Sequence, residues 1–205
     1  ERHPDALAPA LHRVPLRSSR ITSGGPGTAD ACLGNRADRQ IARLVSFLED
    51  SGLRDDTLIL VLSDNGASQE GGPNGMVNAM GPYNRKPEPL AEKLARLDEI
   101  GGPDTHSNFP HGWAMASNTP LRRYKQNTHG GGIRDPLVIS WPKGIAAKGQ
   151  VRTQFSHVID IAPTVLEAAS LPQPSSVNGT VQVPIQGASL VYSFNDAKAP
   201  ARHTT

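Results

Sequence analysis

The chain has 205 residues, a formal charge of +2 and 4% aromatic residues. That length can bury one sizeable core, while near-balanced charge and few rings argue against a nucleic-acid reader built on basic patches and stacking platforms. A single cysteine excludes an internal disulfide framework, and no apolar run approaches a membrane span, so a soluble chain without membrane partners is expected.

Twenty glycines and eighteen prolines imply long loops between regular elements. The opening stretch, Glu1 to Asn35, carries Pro4, Pro9, Pro15, Pro26 and the run Ser23-Gly24-Gly25-Pro26-Gly27. It lacks sustained helical or alternating periodicity and reads as loop. Residues 1–36 are therefore set apart as an N-terminal segment, and 37–205 as the α/β domain. No secretory signal opens the sequence, but a chain that begins at Glu1 is not expected to show its natural start, so this says little about location. From Ala37 the pattern sharpens, with Ile41, Leu44, Val45 and Leu48 at helical spacing and Gly52 suited to stop the helix.

The run Thr57-Leu58-Ile59-Leu60-Val61-Leu62-Ser63-Asp64-Asn65-Gly66 follows. Its uncharged first part predicts a strand buried on both faces, as in a parallel sheet covered by helices. Helix then strand is half of a βαβ unit. Asp64 and Asn65 stand at the carboxyl end, where ligand sites of open α/β sheets lie, and offer hard oxygens of the kind Ca²⁺ or Mg²⁺ prefers. The same residues also make an ordinary turn signal, so both readings stay open.

A long connection, Ala67 to Ser117, has breaks at Gly71-Gly72-Pro73 and Gly101-Gly102-Pro103. Pro89 to Ile100 predicts a short helix with Leu90, Leu94 and Leu97 on one face. Connections this long either shape a functional site or form a mobile surface loop. His106, His111 and Trp113 are candidates to border a pocket, although loop histidines are more often solvated than catalytic.

Downstream, Ser156 to Ser170 reads as a short approach and a helix, with Asp160 as N-cap and Pro163 in the first turn. Ile161, Val165, Leu166 and Ala169 can pack on a sheet. His157 and Asp160 could form an acid–base pair, but capping suffices to explain Asp160. The tail, Leu171 to Thr205, reads as loop with one or two short extended pieces. Within it Asn178-Gly179-Thr180 fits a glycosylation acceptor, a tripeptide common by chance.

Three ordered segments carry a family resemblance. The first is Ser63-Asp64-Asn65-Gly66. The second is Asn118-Thr119-Pro120-Leu121-Arg122-Arg123-Tyr124-Lys125-Gln126-Asn127-Thr128-His129-Gly130-Gly131-Gly132-Ile133-Arg134-Asp135-Pro136, which leads into Leu137-Val138-Ile139-Ser140-Trp141-Pro142. The third is Ser156-His157-Val158-Ile159-Asp160-Ile161-Ala162-Pro163-Thr164. Together they resemble the later half of a sulfatase of the alkaline phosphatase superfamily. The likeness extends to bacterial arylsulfatases, since Gly112-Trp113-Ala114-Met115-Ala116 also fits.

The resemblance covers residues 37–205. It implies a mixed, mostly parallel sheet flanked by helices, and hydrolysis of a small-molecule or saccharide sulfate ester in the bacterial cytoplasm or periplasm. It makes Asp64 and Asn65 metal ligands for Ca²⁺, with Mg²⁺ an alternative, and Lys125 a sulfate contact. His129 would hold a position often aromatic or histidine, and the connection before Asn118 would shape the substrate mouth. The family nucleophile is formylglycine, made within Cys/Ser-x-Pro-x-Arg. Cys32-Leu33-Gly34-Asn35-Arg36 has the cysteine-to-arginine spacing, but Gly34 replaces the proline, and too few residues separate it from Asp64. The nucleophile is thus expected in a missing earlier half, with the fragment alone inactive. Gly130 stands where the family usually has Glu. Related phosphatases, phosphodiesterases or phosphonate hydrolases, and a noncatalytic binding or remnant chain, are the alternatives.

Overall fold

The computed structural model describes residues 26–203, with side chains from residue 37 onward. Two compact units share these residues, one from 52–59 and 140–203 and the other from 26–51 and 60–139. Of the N-terminal segment, residues 1–25 lie outside the described residues.

In the second unit, α1 (Pro26–Asp50) starts earlier than the apolar periodicity predicts. Residues 26–35 are helical rather than loop. Pro26 suits a first helical position because its missing N–H is one the helix start leaves unpaired, and Ala29 and Ala31 favour helix without an apolar stripe. Val45 and Leu48 are half-buried, whereas Ile41, Leu44 and Phe47 are exposed.

Strands β1 (Ile59–Leu62) and β2 (Leu137–Ser140) form a two-stranded sheet. The expected strand buried on both faces is corrected here: Val61, Leu62 and Val138 are exposed. A two-stranded sheet gives each strand one neighbour, so β-branched and leucine side chains that could fill a larger sheet remain at the surface.

The 67–117 connection is not a structureless loop. It contains α2 (Met80–Tyr83), α3 (Leu90–Ala95) and α4 (His111–Ser117), with a 3₁₀ turn at Leu97–Glu99. The helix expected over 89–100 is shorter, with Pro89 as the cap before α3 instead of inside its first turn and a break at Arg96; Leu90 and Leu94 are exposed and only Leu97 of the three turns inward. Isolated bridges join Met76 to Asn108 and Asn78 to His106. Val77, Ala79 and Ala114 are buried at the centre, and the Glu88 carboxylate accepts from the Val77 and Asn78 N–H groups at 3.0 and 2.8 Å. The short helix α5 (Gly130–Ile133) precedes β2.

In the first unit, a 3₁₀ turn at Val158–Asp160 leads into α6 (Ile161–Ala168). Asp160 does not cap α6 through its own side chain. Instead it reaches back to accept the His157 N–H at 2.8 Å, while the His157 ring accepts from Ile159 N. The capping box thus starts one turn earlier than expected. Ile161 and Leu166 are half-buried, but Val165 and Ala169 are exposed.

The tail contains the antiparallel pair β3 (Ser176–Val177) and β4 (Thr180–Val181), matching the expected short extended pieces. Asn178 and Gly179 turn between them with φ of 49° and 80°, the double positive φ that Asn-Gly hairpin turns favour. Helix α7 (Val191–Phe194), not anticipated, buries Leu190 and Phe194. Among the described residues, no helix is long and apolar enough to cross a membrane.

Candidate functional site

Backbone proximity organises the site in the second unit. After β1 the chain turns through Asp64, Asn65 and Gly66, and a Cβ on Gly66 would overlap the Gly131 carbonyl. The turn therefore lies directly on the glycine segment before β2, an approach only glycine permits. Gly131 and Gly132 are equally constrained, since added Cβ atoms would overlap the carbonyl oxygens of Arg123 and Asn127 respectively. These paired glycines let the Arg122–Asn127 bend wrap onto the 131–132 backbone. Gly130 differs: its Cβ would meet Leu121 Cδ2 at 3.3 Å and Arg134 Cδ at 3.7 Å, both movable side-chain ends.

Lys125 sits in that bend. Its backbone N–H donates to Ala67 O at 3.1 Å, placing it beside the Asp64–Ala67 turn. Arg123 and Gln126 on either side have φ of 66° and 71°. Left-handed backbone at residues other than glycine is costly and persists where surrounding bonds hold it. Those bonds are present: Gln69 Nε2 donates to Gln126 Oε1 at 2.8 Å, and Asn127 Nδ2 to the carbonyls of Tyr124 and Lys125 at 3.2 Å each.

The Lys125 ammonium pairs with Glu70 Oε1 at 3.1 Å. Glu70 is also bonded by the Ser68 hydroxyl at 3.0 Å. The Lys125 bond, then the Ser68 bond, holds the Glu70 carboxyl below its ordinary range.

Asp64 is exposed and Asn65 half-buried. Ser63 Oγ donates to Asn65 O at 2.7 Å, and Asn65 Nδ2 donates to Gly66 O at 3.1 Å. One exposed carboxylate and one amide oxygen are hard donors, a fitting part of a Ca²⁺ or Mg²⁺ set but short of the six or so oxygens such ions take. Among the described residues, no group of three His, Cys, Asp or Glu could hold a metal. Asp135 adds a nearby carboxyl, pushed above its ordinary range by burial and then by the charge of Asp64.

The histidines diverge. His111 is half-buried and stacks on Tyr124 with ring centroids 5.7 Å apart, which brings it next to the Lys125 bend. His106 is exposed and takes part through its carbonyl, which accepts from Ala79 N at 2.8 Å. His129 is exposed at the start of α5, where its carbonyl accepts from Gly132 N at 2.8 Å. Trp113 is exposed. His157 and Asp160 lie in the other unit, in the capping arrangement already described. Cys32 falls within α1, and its side chain lies outside the described residues.

Glu70, Asn118 and Asp135 are neighbours of the candidate residues that sequence reasoning did not single out. Asn118 and Asp135 flank the lysine segment, but an amide between a helix and a proline and an acid before a proline both read as boundary residues. Glu70 stood in an insertion with no periodicity to place it.

The sequence has known relatives. Residues 33–171 match the Sulfatase family model. The chain belongs to the sulfatase family. It is 32% identical over 137 residues to an uncharacterized sulfatase of Schizosaccharomyces pombe, covering 67% of this chain and 24% of that protein. It is 30% identical over 167 residues to an arylsulfatase of Klebsiella aerogenes, covering 81% and 33% respectively. Against an N-acetylgalactosamine-6-sulfatase of Mus musculus it is 29% identical over 138 residues, 67% of this chain and 19% of the relative. The chain thus spans a third or less of the length of these relatives.

Proposed function

We propose that the protein is a sulfuric ester hydrolase, acting on an aryl or other small-molecule or saccharide sulfate ester with a divalent cation. The observation that carries this reading is the backbone bond from Lys125 to Ala67, which sets a lysine beside the Asp64–Asn65 turn in a chain of this family. Relatives named arylsulfatase and N-acetylgalactosamine-6-sulfatase support the substrate class.

In this reading Asp64 and Asn65 help hold Ca²⁺, with Mg²⁺ an alternative. The cation when bound supplies fixed positive charge against the sulfate oxygens. Lys125 contributes a second positive group, oriented before the substrate arrives because its backbone is bonded on both sides. His111, stacked on Tyr124, and the 67–117 connection border the mouth that selects the ester's organic part. The exposed faces of β1, β2 and α1 fit a larger, mostly parallel sheet whose remaining part supplies the formylglycine nucleophile. The bacterial cytoplasm or periplasm belongs to the same proposal.

The test is hydrolysis of an activated aryl sulfate by an extended form of the protein carrying a Cys/Ser-x-Pro-x-Arg segment, with metal content determined by elemental analysis. Metal-dependent release of sulfate is the expected result. Release of phosphate from an aryl phosphate at comparable or greater rate would instead assign the protein to phosphoryl chemistry.

A further inference from the structure

A single side chain meets all three backbone segments that build the candidate site. Asn118 follows α4, whose Ala114 is fully buried, so its own backbone is anchored. Its Oδ1 accepts from Ala67 N at 3.2 Å, in the turn that carries Asp64 and Asn65. Its Nδ2 donates to Arg123 O at 3.0 Å, in the bend that carries Lys125, and to Gly131 O at 2.9 Å, in the glycine segment.

Only a primary amide on a short stem meets these demands. The Ala67 N–H needs an acceptor and the two carbonyls need donors, so one oxygen and both N–H bonds of the amide are used. An ionised aspartate would keep the first bond and set a negative charge against two carbonyl oxygens. A leucine of similar shape would leave one N–H and two carbonyls without this partner. The ring is closed elsewhere by backbone bonds, Lys125 N to Ala67 O at 3.1 Å and Gly131 N to Arg122 O at 2.7 Å. Ala67 is thus gripped through its N–H by Asn118 and through its carbonyl by Lys125.

We infer that Asn118 is a positioning residue that holds the Asp64–Asn65 turn and the Lys125 bend in one register, acting on the chemistry through them and not by touching substrate. Its functional consequence rests on the sulfate-ester reading above. The geometry also explains how a lysine flanked by left-handed Arg123 and Gln126 keeps a fixed place: the Arg123 carbonyl, turned by its unusual backbone, is the one Asn118 holds.

Amide hydrogen exchange on the 205-residue chain tests the tie, with N118A and N118D compared to wild type and folding checked by circular dichroism. Since a net hydrogen bond is worth about 1 kcal/mol, N118A is expected to speed exchange at both Ala67 and Lys125 by roughly fivefold to tenfold. N118D keeps the acceptor and is expected to retain protection at Ala67 while losing it at Lys125 near neutral pH. As pH falls and the introduced carboxyl gains a proton it regains one donor, so protection at Lys125, corrected for intrinsic rates, should partly return. A merely space-filling role predicts no such pH profile. Unchanged exchange at Lys125 in both variants, or N118D indistinguishable from wild type at every pH, would overturn the inference.

Calcium chloride and sodium sulfate titrations of an extended form carrying a Cys/Ser-x-Pro-x-Arg segment, followed by bound metal and by sulfate affinity, separate this from the functional reading. An extended form that binds neither ion would count against the sulfatase reading while the exchange data still decide the role of Asn118.

Discussion

The Glu70 carboxylate stands 3.1 Å from the Lys125 ammonium, so the lysine proposed to meet a sulfate already faces an anion of its own chain. An incoming sulfate must share or displace that partner. The Lys125 bond lowers the Glu70 carboxyl below its ordinary value. A lowered folded-state value means the pair is present above the ordinary carboxylate range and is lost as pH falls through the lowered value. Glu70→Gln is expected to tighten binding of inorganic sulfate several-fold with the fold unchanged, and to remove the rise in sulfate affinity expected of wild type at acid pH. Weaker sulfate binding in that variant would mean that Glu70 aims the lysine instead of competing for it.

Asp64→Ala is expected to lower bound divalent metal and sulfate-ester hydrolysis together in an active form of the protein. The reason is the exposed carboxylate at the end of β1, one of two hard donors on that turn. Elemental analysis showing unchanged metal stoichiometry would remove Asp64 from the cation site.

Much of this site was legible because its parts are local. Asp64 and Asn65 follow an apolar run that any strand pattern would find, and the glycines before β2 announce a close backbone approach. The hairpin at Asn178-Gly179 is a turn written in two residues. What was not legible depends on partners distant in sequence. Asn118 lies 51 residues from the Ala67 N–H it accepts, and Glu70 reaches Lys125 from inside an insertion without periodicity. Burial of the strands was overestimated because an apolar run reports what a strand can cover, not how many neighbours it has. The early start of α1 was missed because residues 26–36 have no apolar stripe and include Gly27, Gly34 and Asn35, so nothing local marks them as helix.

Three glycines in a row do not carry equal weight. Gly130→Ala meets side-chain atoms of Leu121 and Arg134 and no backbone, and it removes the conformational freedom that makes glycine unfavourable in a helix. It is expected to be neutral or to stabilise by up to about 1 kcal/mol. Gly131→Ala and Gly66→Ala put a methyl group into backbone carbonyls, which cannot turn aside as a side chain can. Each is expected to destabilise by about 3 kcal/mol or to detach the Lys125 bend. Thermal or urea unfolding ranks the three, and equal effects at Gly130 and Gly131 would contradict the packing described.

Asp160 is expected to set the acid limit of its own unit. Burial pushes its carboxyl up, but bonds from His157 N and Ala188 N, both at 2.8 Å, and contact with His203 Nε2 at 2.6 Å more than offset that, so its folded value lies below the ordinary one. The Asp160 contribution is therefore complete above about pH 4 and is lost as pH falls from there through the lowered value. Asp160→Ala leaves those donors without their acceptor and is expected to cost about 3 kcal/mol at neutral pH. It should also flatten the acid side of the stability profile, measured by urea unfolding between pH 2 and pH 7 as a range of about 5 units. A profile of unchanged slope would mean that other carboxylates set the acid limit.

The 205-residue chain alone is expected not to turn over sulfate esters. Asp64, Asn65 and Lys125 bring part of a charge clamp, and positive charge around a sulfate does not by itself cleave an S–O bond. A nucleophile is needed, and Cys32 stands in Cys-Leu-Gly-Asn-Arg, without the proline of the formylglycine segment. Its position within α1 also ties its backbone into helical bonds, unlike a residue in an open loop. Exposed Leu44, Phe47, Val61, Leu62 and Val138 give the chain apolar surface beyond what a stable soluble domain leaves bare, so association with itself at high concentration is expected as well. Purified chain incubated with Ca²⁺ and an activated aryl sulfate, with mass spectrometry of the Cys32 peptide, decides the matter. Hydrolysis that needs the metal, together with conversion of Cys32 to formylglycine, would make the short chain a complete and rearranged sulfatase.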